Sequence, residues 1–205
     1  MPISTSVRRV SDAASAVSAM RCNVSPSAVK KTFRHPKADE ASRNAFRIKI
    51  KEYQADERSV IYIDESGFAH DMPRTHGYAP VGRRCFGQHD WNAKGRINAI
   101  GALLNKELLT VTLVDGSIDA DVFHAWLRDE LLPELPHNSI VVMDNAAFHK
   151  PDAIQEVITS CGHELEFLPP YSPDLNPIEH TWAQAKALRR KYRCSVEELF
   201  QRNNL

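Results

Sequence analysis

Val141-Val142-Met143-Asp144-Asn145-Ala146-Ala147-Phe148-His149, and further on Pro169-Pro170-Tyr171-Ser172-Pro173-Asp174-Leu175-Asn176-Pro177-Ile178-Glu179-His180-Thr181-Trp182, are the stretches that decide the fold. In the first, an apolar run that begins at Ile140 ends in an acid. A run so evenly apolar reads as a strand covered on both faces, because a strand with one wet face would alternate. In the second, a proline-punctuated loop opens a helix that carries a glutamate. A third acid, Asp64, stands at the end of Val60-Ile61-Tyr62-Ile63. Two strand ends and one helix start thus each deliver a carboxylate.

Working outward, the pattern predicts strands over 59–64, 95–104 and 108–114, the last closing at Asp115-Gly116. An amphipathic helix is expected over 119–135 through Val122, Phe123, Trp126, Leu127, Leu131 and Leu132, stopped by Pro133 and Pro136. A strand over 140–144, a helix over 151–160, a strand over 165–168, a helix over 176–192 and a last helix from Val196 complete the order. Three strands, helix, strand, helix, strand, helix is an α/β arrangement, a mixed five-stranded sheet flanked by helices. That order is similar to the ribonuclease-H-like fold.

Residues 1–58 read differently, as a short, basic, helical N-terminal arm ahead of a domain over 59–205. Ala13, Ala14, Ala16, Val17, Ala19 and Met20 suit a small-residue helix, Cys22-Asn23-Val24 a turn, and Ser25-Pro26 a capped restart. Lys30, Lys31 and Arg34 then lie on a short basic helix. The pair is either part of a helix-turn-helix, whose second helix would enter a major groove, or a plain helical linker. Pro36 breaks it, and 39–53 is expected as a polar helical spacer.

A chain of 205 residues is long enough to bury a core without disulfide or metal. Cys22, Cys85, Cys161 and Cys194 form no Cys-x-x-Cys pair, which suits reduced thiols in a cytosolic protein rather than a disulfide framework or zinc knuckle. No apolar stretch approaches a membrane span, and the polar start is unlike a signal peptide. The net charge of +0 hides a division. Residues 1–58 hold 12 Lys and Arg against 6 Asp and Glu, while 59–205 hold 14 against 20. A basic arm on an acidic domain suits a protein that grips nucleic acid with one part and loads cations with the other; a solvated helical face is the plainer reading.

Each acid has a plain reading too. Asp64-Glu65-Ser66-Gly67 can be a turn, Asp144-Asn145 an Asx-turn, and Asn176-Pro177-Ile178-Glu179 a capping box in which Glu179 reaches back to Asn176. Together they point elsewhere. Two carboxylates about 4 Å apart repel by roughly 4 kcal/mol at an effective dielectric near 20, so three need a cation. Mg²⁺ fits, being hard and content with a few carboxylates plus water and phosphate oxygens.

Tyr62-Ile63-Asp64-Glu65-Ser66-Gly67-Phe68, Gly77-Tyr78-Ala79-Pro80, the Asp144 segment and Tyr171–Glu179 carry a resemblance. From about residue 59 onward the chain resembles DDE superfamily transposases of the bacterial insertion-sequence group related to the mariner elements, including the 34 residues between Asp144 and Glu179. The resemblance implies a catalytic, metal-binding triad of Asp64, Asp144 and Glu179. It implies Mg²⁺, with Mn²⁺ able to substitute, and no organic cofactor. Terminal repeats and target DNA would be partners, met by a homodimer on DNA without a membrane, in the bacterial cytoplasm at the nucleoid. Candidate DNA contacts are Lys30, Lys31, Arg34, Arg74, Arg83, Arg84, Asn145, His149, Lys186, Arg189 and Arg190, the last three in a basic run with Lys191 and Arg193. Hydrogen-bonding turns or ordinary salt bridges are the alternatives for Asn145, His149 and Lys186, and Trp182 reads as a core anchor. His70, His76 and His180 lack ligand spacing. Two other functions remain open: a truncated, non-catalytic remnant that binds DNA or a full-length partner, and a nuclease on RNA–DNA hybrids, against which the spacing stands.

Overall fold

The computed structural model describes residues 35–70, 77–86, 95–144 and 151–202. The expectations for Lys30, Lys31, Arg34, Arg74, Asn145 and His149, and for the helix-turn-helix pair, lie outside these residues. Residues from Arg34 onward form one compact unit.

Its centre is a five-stranded sheet of β1 (Val60–Ala69), β2 (Arg96–Leu104), β3 (Glu107–Asp115), β4 (Ile140–Met143) and β5 (Glu164–Phe167), in the order β3-β2-β1-β4-β5. β1, β2 and β3 pair antiparallel, whereas β4 and β5 run parallel to β1. Among the described residues five α-helices accompany them: α1 (Glu40–Ala55), α2 (Ala120–Trp126), α3 (Pro151–Ser160), α4 (Ile178–Tyr192) and α5 (Val196–Arg202). This is the mixed, helix-flanked, ribonuclease-H-like sheet that the element order predicts.

The period of two along a strand sorts the side chains to two faces. Ile61, Ile63, Ile100, Ala102, Val141 and Met143 turn to one face and pack with Phe123, Trp126, Leu127, Leu131, Ile154 and Ile158. On the other face Phe68, Ala99 and Leu103 meet Ile178, Trp182 and Ala185 of α4 and Val196 and Leu199 of α5. That face continues over Val60, Ile140, Val142 and Leu168, where Phe46, Ile50 and Tyr53 of α1 cover it.

Three expectations change. The strand read as ending at Asp64 runs on to Ala69, since β2 supplies partners as far as Ala69↔Arg96 and Phe68 finds a buried place. The helix expected over 119–135 is α-helical only as far as Trp126. It widens to a π turn over Leu127–Leu131 and tightens to a 3₁₀ turn over Leu132–Glu134, around the proline that cannot donate. Its start is as expected, with Asp119 accepting from the Val122 amide at 2.9 Å. The spacer over 39–53 is helical, capped by Asp39, whose carboxylate accepts from the Ser42 amide at 2.9 Å. It is docked rather than free, because its Phe46, Ile50 and Tyr53 are buried on the sheet.

Candidate active site

β1 and β4 lie side by side in parallel with Tyr62 opposite Val142. Two residues on in the same register come Asp64 and Asp144, and the even-numbered residues of both strands face α4 and α1. β4 ends at Met143, so Asp144 stands exposed at its carboxyl end, where ligands of such sheets gather. β1 continues, so Asp64 is held within a strand, half-buried and paired across β2 with Gly101.

Gly101 is where the third acid is positioned. A Cβ there would stand 2.7 Å from Trp182 Cη2, so the missing side chain is the notch into which the indole fits. Trp182 is 1% exposed and meets Phe68 and Phe200 edge-on at 6.3 and 6.2 Å between ring centroids. Glu179 lies three residues earlier on the same helical face, so the seating of Trp182 over Asp64's cross-strand partner also fixes where Glu179 projects. Lys186, on the same face, is half-buried with its Nζ 5.5 Å from the Phe68 ring centroid.

The capping-box reading of Glu179 is not realised. α4 begins at Ile178 after Pro177 with no side-chain cap, and Asn176 turns inward, its Nδ2 donating to the Ile63 carbonyl at 3.5 Å. The carboxylate of Glu179 is exposed rather than spent on the helix start.

Electrostatics join the three acids. Burial, then the charge of Glu179 and the charge of Asp144, push the Asp64 carboxyl up to about 7, against a bond from the Glu65 backbone amide that favours its ionised form. A carboxyl raised by burial and by neighbouring acids is a candidate functional group. Among the described residues no three Asp, Glu, His or Cys side chains converge into a ready cage for a metal ion. The donor set is nevertheless hard, anionic and open on the Asp144 and Glu179 sides, which suits a cation that keeps several of its waters.

The basic candidates divide. Arg83 and Arg84 are exposed and Arg190 is half-buried. Arg189 is corrected: it is 8% exposed, with Nη1 donating to the Ala69 carbonyl at 2.5 Å, Nη2 to His70 at 3.1 Å and Nε to Cys194 at 3.3 Å. Its guanidinium ties the end of β1 to the end of α4 and is not available to a phosphate. Sequence reasoning missed Gly101, whose signal was a lone glycine inside an apolar strand, a mark of close approach. It also missed the inward turn of Asn176, which looks like an N-cap until the sheet is in place.

The same architecture occurs in solved structures. The Mos1 strand transfer complex superposes with a TM-score of 0.61 at 16% identity, covering 84% of this chain and 57% of that one. The mariner Mos1 paired end complex with Mg gives 0.58 at 17%, covering 78% and 52%. The Mos1 transposase catalytic domain with raltegravir and Mg gives 0.52 at 16%, covering 83% and 82%. This chain therefore spans little more than half the length of the chains in the two larger complexes, and at such identities the likeness concerns the fold. No protein of curated function matches the sequence. The family profile described as DDE superfamily endonuclease matches residues 59–199, which include all three acids, and the chain belongs to that family.

Proposed function

We propose that this protein is an insertion-sequence transposase that cleaves DNA strands and joins the freed end to a target, using divalent metal ions held by Asp64, Asp144 and Glu179. The observation that carries this reading is the placement of Asp64 in β1 and Asp144 just past the parallel β4, beside the helix bearing Glu179, with the Asp64 carboxyl raised by burial and by the charges of Glu179 and Asp144. Bound among these carboxylates, Mg²⁺ supplies Lewis-acid activation of the attacking oxygen and charge stabilisation of the leaving one. The protein's part is positioning and charge. β1 holds one carboxylate within a strand, the end of β4 presents the second, and α4, seated by Trp182 against Gly101, brings the third. No side-chain nucleophile is required, since water or a 3′-hydroxyl attacks in line.

Solved relatives of this fold include paired-end complexes with a transposon end. By extension we assign DNA as substrate, the basic residues ahead of α1 as its grip, and a homodimer as the state on DNA, in the bacterial cytoplasm. Exposed Arg83 and Arg84, with half-buried Lys186 and Arg190, are the DNA-contact candidates within the described residues.

The test is nicking of supercoiled plasmid in Mg²⁺ or Mn²⁺ by the wild type and by Asp144→Asn. Metal-dependent nicking should fall at least about a hundredfold in the variant while its melting temperature stays close to wild type. Nicking that persists in the variant would remove Asp144 from the chemistry. DNA binding with no nicking by either protein would move the assignment to a non-catalytic DNA-binding relative.

A further inference from the structure

α1 precedes the segment matched by the family profile, yet it grips the loop that presents Glu179. Arg43 is almost wholly enclosed, at 1% exposure, and its side chain donates through Nη1 and Nη2 to both carboxylate oxygens of Asp174, at 2.9 and 2.6 Å. Asp174 lies in the turn Pro173–Leu175. From that turn the chain runs to Asn176, bonded to Ile63 directly before Asp64, and then to Glu179. At the start of the same loop the His35 ring stacks on Tyr171, with centroids 4.4 Å apart and planes inclined by 8°. The segment before α4 is therefore held at Tyr171 by His35, which precedes α1, at Asp174 by α1 itself, and from the sheet side at Asn176.

The form of the Arg43 contact matters. A forked guanidinium on a carboxylate fixes both distance and plane, which an ammonium cannot do. Stability alone is a poor reason for the pair, because burying a cation has a desolvation penalty that its partner offsets only with good geometry. Asp174 keeps 41% of its side chain exposed, so an ordinary surface ion pair could have served if holding the loop anywhere were enough.

We propose that Arg43 is a positioning residue of the active site. Its two-point grip on Asp174 sets where Glu179 stands relative to Asp64 and Asp144, and with it the affinity of the three acids for a divalent cation. The inference rests on the metal-dependent reading above, and Arg43 itself touches neither the cation nor DNA.

The experiment follows Mn²⁺ binding to the full chain at pH 8 by electron paramagnetic resonance of the free ion, with melting and plasmid nicking measured alongside. Four proteins are compared: wild type, Arg43→Met, Arg43→Lys and Tyr53→Phe. Arg43→Met keeps an apolar stem in the enclosed site and leaves Asp174 to water. It should weaken Mn²⁺ binding about 10–100-fold, the usual effect of losing a group that orients a ligand. Arg43→Lys should restore part of that affinity, since one of the two bonds can be replaced. Tyr53→Phe loosens α1 at its other end, where the phenol donates to Glu164 and Glu166 at 2.7 and 2.8 Å. It should leave Mn²⁺ affinity unchanged.

Equal affinity in Arg43→Met and wild type would overturn the proposal, as would an equal loss in Tyr53→Phe, which would mean only that α1 must be docked. If Arg43→Met does not fold, unchanged affinity in Arg43→Lys overturns it instead. A wild type that neither binds Mn²⁺ nor nicks would sink the metal-dependent reading itself. A wild type that does both, matched by Arg43→Met, sinks the positioning role alone.

Discussion

Asp64 holds its carboxyl between a sheet and a helix, and there its ionisation is opposed by burial and by the charges of Glu179 and Asp144. Because the folded-state value of about 7 lies above the ordinary 3.8, folding favours the protonated form. The contribution to stability is full below about pH 4 and is lost as pH rises through 7. For a half-buried group partly screened by water the loss amounts to roughly 2–4 kcal/mol. Asp64→Asn removes it. In EDTA at pH 8 the variant should therefore resist urea better than wild type by that amount, and at pH 4 the two should converge. A variant no more stable than wild type at pH 8 would contradict the strained state of this carboxyl. The acids were legible in the sequence because each ends an apolar run or opens a helix. The raised titration of Asp64 was not, since it depends on which charges the fold brings near.

At the scale of elements, the seat of α4 on β2 is the contact that aligns the acids. Gly101→Ala would place its Cβ 2.7 Å from Trp182 Cη2 and 3.4 Å from the Thr110 carbonyl, and an indole that is 1% exposed has little room to withdraw. Overpacking of this kind costs about 1–3 kcal/mol. The same shift moves Glu179, so nicking should fall by more than the loss of folded protein explains. Urea titration and plasmid nicking at a temperature where the variant is folded separate the two effects, and unaltered nicking would detach the notch from catalysis. Strand and helix identities were largely readable from periodicity, β4 through its continuous apolar run and β5 through the alternation of Leu165 and Phe167 with glutamates. The extension of β1 past Asp64 was not, because Glu65, Ser66 and Gly67 resemble a turn until β2 offers them partners. The π turn after Trp126 was also hidden, since side-chain pattern does not record which carbonyl an amide chooses.

For the whole molecule, the compact unit from Arg34 includes α1, although polarity alone made this helix look like a spacer. A fragment beginning at residue 34 should unfold in one cooperative transition. A fragment beginning at residue 59 loses Phe46, Ile50 and Tyr53 from the sheet and leaves Val60, Ile140, Val142 and Leu168 open. It also strips Glu164 and Glu166 of Arg58, Lys49 and Tyr53. Burial of three such side chains is worth roughly 5 kcal/mol or more, so the shorter fragment should be far less stable or insoluble. Equal denaturant midpoints for the two fragments would show α1 to be dispensable. By itself the sequence determined the fold class and the order of elements and singled out three candidate acids, because apolar periodicity, proline and strand-end carboxylates are local signals. Only the tertiary structure decided that Asp64 sits within a strand, that Gly101 makes room for Trp182, that Arg189 is enclosed, and that Arg43 grips Asp174. Each of those joins residues far apart in the chain, and what a side chain does there follows from burial and from neighbours that no local pattern encodes.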